Sequence, residues 1–312
     1  MTGIELRTVS QVYRTFKGRC DFMKIDYGKE QVGTSVENRL VTPTFQAYVP
    51  QPPLSDFVEL FWYWNHNPPK FKERILPGGS VEFVIRLTKD RTNVFQLKCL
   101  ERPKSCSGAI ITGPHSEFFV LDKSEQDELM GVHFKPGGSF PFFAAPANKF
   151  LNDHVSLDAV WGHEAGFLRS ELLDAPTADS KFRVLERHLI KRAKNSIGRH
   201  PAVAYALKGL NRRPFPSSLS ELANDVNLSP KRLTQLFTRE VGVTPKLFAR
   251  IQRFQEVIKL ISKQNSVDWS SLALDCGYYD QAHFNHDFQE FSGINPTTYM
   301  KKKTEHLGHV PL

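Results

Sequence analysis

A helix turns about 100° per residue. One running through PKRLTQLFTR, Pro230 to Arg239, therefore sets Lys231, Gln235 and Thr238 on a single face, flanked by Arg232, Thr234 and Arg239. Glutamine pairs bidentately with adenine, lysine reaches the guanine acceptors, and arginines at the margins suit phosphates. A second segment, QAHFNHDFQ, exposes Ala282, His286 and Gln289 beside His283 and Asn285. Ala282 offers a methyl that can pack on thymine. Ser229, Asp280 and Gln281, at the starts of the two segments, complete the candidate set. The second face is less positive, with Asp280 and Asp287 near it, so it is expected to give less affinity and more base-edge or shape readout. His283 and His286 stand at i and i+3, a metal-like spacing, but no third ligand is evident beside them and no metal is assigned.

A basic cluster on an isolated helix is usually just a solvated surface. These clusters lie in a repeat. Ser218-Leu219-Ser220-Glu221 has the capping-box form and opens a short helix, LSELANDV. Asn227 supplies a residue that tolerates positive φ, and Ser229-Pro230 starts the next helix with a cap and a first-turn proline. Leu233, Leu236 and Phe237 form its inner stripe. Downstream, Asp268 caps WSSLALDC, Gly277 turns the chain, and Asp280 caps a helix with Phe284, Phe288 and Phe291 inward. Leu233 matches Phe284, Phe237 matches Phe288, Gly242 matches Gly293, Pro245 matches Pro296 and Phe248 matches Tyr299, all 51 apart. The small contact residues Ala223 and Ala273 are 50 apart, so the second turn is one residue longer. Two short helices around a tight turn are the pattern of a helix-turn-helix, here present twice. Between the copies, PKLFARIQRFQEVIKLIS carries one apolar stripe, Leu247, Ile251, Phe254, Val257, Ile258 and Ile261. Such a helix is roughly 27 Å long at 1.5 Å per residue. Successive major grooves on one face of a duplex lie about 34 Å apart, so the rod is of the right order to aim two helices at neighbouring grooves.

Upstream the pattern is different. From Pro43, PTFQAYVPQPPLSDFVELFWYWN is aromatic and strand-like, SVEFVIRL alternates Val81, Phe83, Ile85 and Leu87 against Glu82, Val84 and Arg86, and DELMGVHF is a further strand candidate. Phe57, Phe61, Trp62, Tyr63 and Trp64 are read as strand packing in preference to a ligand pocket. PGGS occurs at Pro77 and again at Pro136; without the Lys-Ser/Thr of a phosphate loop, both read as type II turns with Pro then Gly at the centre. FRVLERHLIKRA and PAVAYALKGL are helical, NRRPFPSS is a linker, and residues 1–40 form a loose arm or a few edge elements.

Composition sets the remaining bounds. The 312 residues leave room for two domains, and a net charge of +8 leans weakly toward an anionic partner. No apolar run reaches membrane-spanning length, and the polar N-terminus lacks a signal-peptide core, so a cytoplasmic protein is expected. Cys20, Cys99, Cys106 and Cys276 lack C-x-x-C spacing and read as reduced thiols. His115, His133, His154 and His163 have no metal-ligand spacing.

The segment from Pro201 to Tyr299 resembles the AraC/XylS family of transcription regulators, through LANDVNLSPKRLTQLFTREVGVTPKLFARIQRFQ and GYYDQAHFNHDF…GINPTTY. The resemblance implies two helix-turn-helix motifs joined by a helix, a DNA-binding domain that contacts adjacent major grooves, and usually activation. LFWYW, ILPGGSVEFVI and GVHFKPGGSFPFF more loosely resemble β-rich companion domains of that family, which sense small molecules or mediate dimerisation. The cysteine cluster of the family's zinc-bearing N-terminal domains is lacking.

The expectation is an α+β chain of two domains. Residues 1–195 form a β-rich regulatory or dimerisation domain, cupin-like barrel or sandwich, with helices; residues 196–312 form an all-α DNA-binding domain. The function is that of a transcription regulator of the activating kind. Its partner is double-stranded DNA, with RNA polymerase, a small-molecule effector and a second copy as further partners, no membrane and no cofactor. The effector-binding residues are not assigned. The rival is an enzyme whose catalytic N-terminal domain is tethered to a DNA-binding module; no nucleophile elbow, H-E-x-x-H, phosphate loop or dinucleotide fingerprint supports it.

Overall fold

Alternate residues of a strand face opposite sides, and the aromatic N-terminal runs use this to build one buried surface. The computed structural model describes residues 23–26, 44–65, 72–96, 102–122, 128–143, 145–193, 198–211, 218–262, 264–304 and 308–312. The expected boundary at Ser196, most of the linker after Asn211 and most of the N-terminal arm lie outside these residues.

Twelve strands are described: β1 (Met23–Asp26), β2 (Thr44–Tyr48), β3 (Val58–Asn65), β4 (Lys72–Ile75), β5 (Glu82–Arg86), β6 (Arg91–Gln96), β7 (Lys104–Ser107), β8 (Ala109–Thr112), β9 (Phe119–Asp122), β10 (Glu128–Phe134), β11 (His154–Ser156) and β12 (His309–Pro311). They form two antiparallel sheets, β1-β2-β3-β10-β5-β8-β11 and β12-β4-β9-β6-β7. Phe61, Phe83, Ile85 and Val132 turn into the core of the first sheet, while Trp62 and Trp64 stay half-buried on its other face. Tyr48 stacks on Phe61, and Phe61 on Phe182, so this aromatic run is spent on packing.

Short helices α1 (Phe140–Phe143) and α2 (Asp158–Trp161) precede α3 (His163–Asp174) and α4 (Ala178–Ala193). Helix α4 buries Phe182, Leu185, Leu189 and Ala193, the predicted stripe, against the first sheet's core. The C-terminal helices are α5 (Pro201–Leu210), α6 (Leu219–Asp225), α7 (Pro230–Val241), α8 (Pro245–Ile261), α9 (Trp269–Asp275), α10 (Gln281–Ser292) and α11 (Pro296–Lys302). The chain is thus β-rich at its N-terminus and helical at its C-terminus, as expected. Among the described residues no helix is long and apolar enough to cross a membrane.

Three local readings need correction or extension. Arg86, assigned to a polar strand face, is 2 % exposed; its guanidinium donates from Nη1 to the Arg91 carbonyl at 2.9 Å, so a backbone acceptor replaces water at that nitrogen. The second PGGS is the expected turn, with Gly137 at φ +71° and the Gly138 N–H donating to the Lys135 carbonyl at 2.7 Å. In the first PGGS the positive φ falls one residue later, at Gly79 (+73°), so Pro77 and Gly78 are not its central pair. Both turns also have a use that local pattern did not suggest. Gly79 lies against Ile251 and Phe248, and Gly137 against Val241 and Leu207, so each is a contact point for the C-terminal helices. Cys106 and Cys276 are buried reduced thiols.

A further buried feature lies between β8, β9 and β11. The His115 ring sits 5.0 Å from the His154 ring and 4.5 Å from Phe119, and Thr112 Oγ1 hydrogen-bonds His154 Nδ1 at 3.2 Å. Burial pushes His115 down to about 4, against a smaller upward pull from Asp153, and pushes His154 well below its ordinary value. A buried histidine with a depressed folded pKa stabilises fully above the unfolded value of 6.5 and loses that contribution as pH falls toward the folded value. At pH 5 the loss from His115 alone is about 2 kcal/mol. His133 behaves oppositely: burial lowers it, but the Glu82 carboxylate bonded to it raises it overall. Chemical denaturation at pH 7.5 and pH 5 therefore gives a smaller acid loss for His115→Gln than for the parent, by about 2 kcal/mol. Equal losses in the two chains would refute the assignment.

Candidate nucleic-acid interface

Each helix of the repeated unit starts where a side chain satisfies otherwise unpaired N–H groups. Ser218 accepts from the Glu221 N–H, Ser229 from Arg232, Thr244 from Leu247, Asp268 from Ser270 and Ser271, Asp280 from His283, and Asn295 from Thr298. Pro230, Pro245 and Pro296 occupy first-turn positions that need no donor. Asn227 adopts φ +54° and Gly277 φ +79° in the two turns. Ala223 and Ala273 have no exposed surface, which lets the paired helices approach closely. The last residue of α6 and the first of α7 are 225 and 230, against 275 and 281 in the second unit; the extra residue lies in the second turn.

Apolar packing then fixes which faces remain wet. Leu233 and Phe237 are fully buried in the first unit, and Phe284, Phe288 and Phe291 in the second. On α7, Lys231, Arg232, Gln235 and Arg239 are exposed, and Thr234 and Thr238 are half-buried. On α10, Gln281, Ala282, Asn285, His286 and Gln289 are exposed and His283 is half-buried. Several candidates also have local partners. Ser229 and Asp280 cap their helices, Thr234 Oγ1 donates to the Pro230 carbonyl at 2.8 Å, and Ser270 donates to Gln281 Oε1 at 2.8 Å. The structure brings the two candidate sets onto the exposed faces of equivalent helices.

Two candidates differ from their neighbours. The Arg239 guanidinium lies 5.5 Å from the centre of the Phe140 ring, and Thr238 Oγ1 is buried with no hydrogen-bond partner. Helix α7 as a whole packs against the turn Ala147–Phe150. A hydroxyl buried without a partner carries a desolvation cost, which the sequence did not reveal.

The charge balance of the second face also changes. Asp287 is 2 % exposed, gripped by Arg250 of α8 at 2.7 Å, with a second Arg250 contact to Glu290 at 2.5 Å. These two carboxylates hold the guanidinium proton more firmly than usual. Two carboxylates share one guanidinium, so the group keeps one negative charge beside this face. His286, Asp287 and Glu290 do bring ligand atoms within 4.8 Å of one another, a grouping the sequence reading did not recognise. Arg250 already occupies both carboxylates, which is an ion-pair network.

Sequence reasoning also overlooked Lys246 and Arg253. With Arg250 they line a groove beside His283, His286 and Glu290. Their spacing, i, i+4 and i+7 along α8, was the available signal, but attention to the apolar stripe hid it. Tyr279, 87 % exposed in the turn before α10, was likewise passed over.

Residues 222–302 match a helix-turn-helix domain family, and residues 46–156 match a domain of unknown function, DUF6597. XylDLEGF operon transcriptional activator 1 of Pseudomonas putida is 25 % identical over 150 residues, 47 % of this chain and 42 % of the relative. The chain thus spans about two fifths of the length of that curated relative. Among solved structures, an AraC-type DNA-binding-domain regulator from Chromobacterium violaceum covers 33 % of this chain and 91 % of its own, with 21 % identity and a TM-score of 0.30. ToxT from Vibrio cholerae covers 82 % and 98 %, with 12 % identity and a TM-score of 0.42. Two capped helix-turn-helix units at a 51-residue interval, a helix-turn-helix family match across both and an operon activator among its relatives make the C-terminal part of this chain similar to the AraC/XylS regulators.

Proposed function

We propose that the protein regulates transcription by binding double-stranded DNA sequence-specifically, with α7 and α10 entering adjacent major grooves. The observation that carries this reading is the pair of exposed polar faces, Lys231, Arg232 and Gln235 on one helix and Ala282, Asn285, His286 and Gln289 on the other. Each is backed by a buried apolar stripe that fixes its orientation. Gln235 and Lys231 read base edges; Arg232, and Arg239 when free of Phe140, hold phosphates. Arg250 positions α10 through Asp287 and leaves the base-reading side chains outward.

The β-rich part, within residues 1–195, serves as the regulatory or dimerisation unit, and residues 196–312 as the DNA-binding unit. The relative described as an operon activator supports activation, with RNA polymerase as the further partner. A small-molecule effector acting through the β-rich part belongs to the same reading. Phe167 and Leu173 on α3 and Ile190 on α4 are exposed apolar residues on neighbouring helices, and a homodimer formed through these helices belongs to the same reading.

Gln235→Ala is expected to relax preference at one base pair at a cost of roughly 1–3 kcal/mol, read by selection from randomised duplexes; an unchanged selected motif would refute the role. Arg232→Ala should weaken binding to every sequence alike and lower the slope of log K against log salt by about one. A loss confined to some sequences would show that it reads bases. For the dimer, Phe167→Glu should shift sedimentation toward the monomer at micromolar concentration, and a parent chain already monomeric there would remove the proposal.

A further inference from the structure

Residues paired across antiparallel strands point the same way, which sets out the outer face of the first sheet in rows. One row is Ala47, Trp62, Gly131, Val84 and Ile110; the next holds His133, Glu82 and Thr112. At the Ile110 end the second sheet closes over this face, and Ile110, Val94, Cys106 and Phe119 are buried together. Towards β10 and β3 the cover thins. Val84 from the first sheet and Ile75 and Leu121 from the second border that cluster but are only half-buried, as are Trp62, Glu82 and His133. Two sheets packed face to face normally bury such central positions between them. The half-burial of both walls marks a gap between the sheets.

One wall of this gap is built with care. The Trp62 indole lies over Gly131, where a Cβ would come within 2.5 Å of its Cζ2 and 2.6 Å of its Cε2. Glycine lets the ring settle on the sheet. Its Nε1–H donates to Glu82 Oε2 at 3.3 Å, and His133 Nδ1 bonds the other oxygen of that carboxylate. The ring is thus held from beneath by backbone and at its edge by an ordered acid, with its other face toward the gap. The side chains of His133 and Glu82 keep 33 % and 32 % of their surface accessible. Burial still lowers the His133 pKa, before the Glu82 and Glu59 carboxylates raise it overall. A group desolvated by its surroundings yet one-third accessible lies in a concavity. Two carboxylates act there on one imidazole, so acid is in excess. Arg86, beyond Val84 on the same face, is 2 % exposed and adds no accessible cation. On the facing wall, in line with Leu121 and Ile75, stand Glu73 and His309, 2.9 Å apart.

We propose that the gap beside Trp62 binds a small organic cation, an amine with an apolar body, seated on the indole face and held by the carboxylates of Glu82 and Glu59. The face of an indole attracts a cation through its ring quadrupole, and more strongly where water is excluded. Val84, Ile75 and Leu121 offer apolar surface to the body of the ligand. An anion would meet the excess of carboxylates, and leaving a charge buried against like charge is costly. A neutral polyol would find the Glu82 oxygens already engaged by Trp62 and His133. The proposal rests on the regulatory reading of the β-rich part, to which it gives a ligand class and a place.

The test is equilibrium dialysis of the full chain, near neutral pH, against phenethylamine, agmatine and choline, with phenylacetate and glucose as the anionic and neutral counterparts. At least one amine is expected to bind saturably, about tenfold or more tighter than phenylacetate and glucose. Glu82→Gln and Trp62→Leu should each weaken that amine about tenfold, one by removing charge and the other by removing the ring face. Should either variant lose its near-ultraviolet circular dichroism, the charge selectivity of the parent chain decides. No saturable amine binding at millimolar concentration overturns the proposal, as does equal binding of phenylacetate or glucose. Unchanged amine affinity in both folded variants also overturns it, because the amine then sits elsewhere. Duplex affinity is measured with and without the bound amine. An amine that binds at Trp62 without changing duplex affinity upholds the site and removes the regulatory reading; absent amine binding in a chain that still binds the duplex sinks this inference alone.

Discussion

Helix α8 is enclosed on several sides, and the placement of both helix-turn-helix units follows from that. Phe248, Ile251, Phe254, Val257, Ile258 and Ile261 have no exposed surface. Phe248 meets Phe237 of the first unit, while Phe254 meets Phe288 and Phe291 of the second. Ile251 rests on the turn at Gly79, and Gln255 donates to the Pro77 carbonyl. Truncating a buried phenylalanine of this kind to alanine costs roughly 3–5 kcal/mol, a large fraction of a domain's stability. One apolar rod therefore sets the spacing of the two recognition helices, and also seats them on the β-rich part.

Charge is arranged around that packing. Arg250 projects from the polar side of α8 and clasps Asp287 and Glu290 on α10, so the ion pair fixes the rotation of the second helix about its axis. A bidentate arginine suits this better than a lysine, because its planar fork is specific in geometry. Glu240, buried at the end of α7, accepts from the His200 N–H and plays a similar part for the first unit; burial raises its pKa, with His200 and Arg199 pulling it down. His283 and His286 border the second network, 4.0 and 3.9 Å from Asp287, and His286 lies 3.8 Å from Glu290.

Much of the helical part was legible in the sequence because its signals are local. An N-cap serine or aspartate acts on an amide three residues away, a glycine or asparagine in the left-handed region decides a turn by its own sterics, and a period of three or four declares a buried stripe. That is why Ser229, Asp280, Asn227 and the stripe of α8 could be placed from composition and spacing. Arg86 could not, because its partner is a backbone carbonyl that strand pairing brings near, and alternation alone assigns it to water. The ion pair of Asp287 was not legible for a similar reason: its arginine lies 37 residues earlier. The PGGS pair was recognised as turns, but nothing within four residues says what a turn will touch.

The sequence by itself determined two helix-turn-helix units, their caps, the rod between them and the side chains on their wet faces, since each follows from contacts within one or two helical turns. Only the tertiary structure decided that the last strand joins β4, that Pro114 and Phe118 reach the ends of both recognition helices, and that Arg239 lies on Phe140. These contacts join residues from about one hundred to over two hundred positions apart, and depend on the shapes of finished surfaces. Periodicity carries no information at that range, because it reports which face of an element is buried without saying against what.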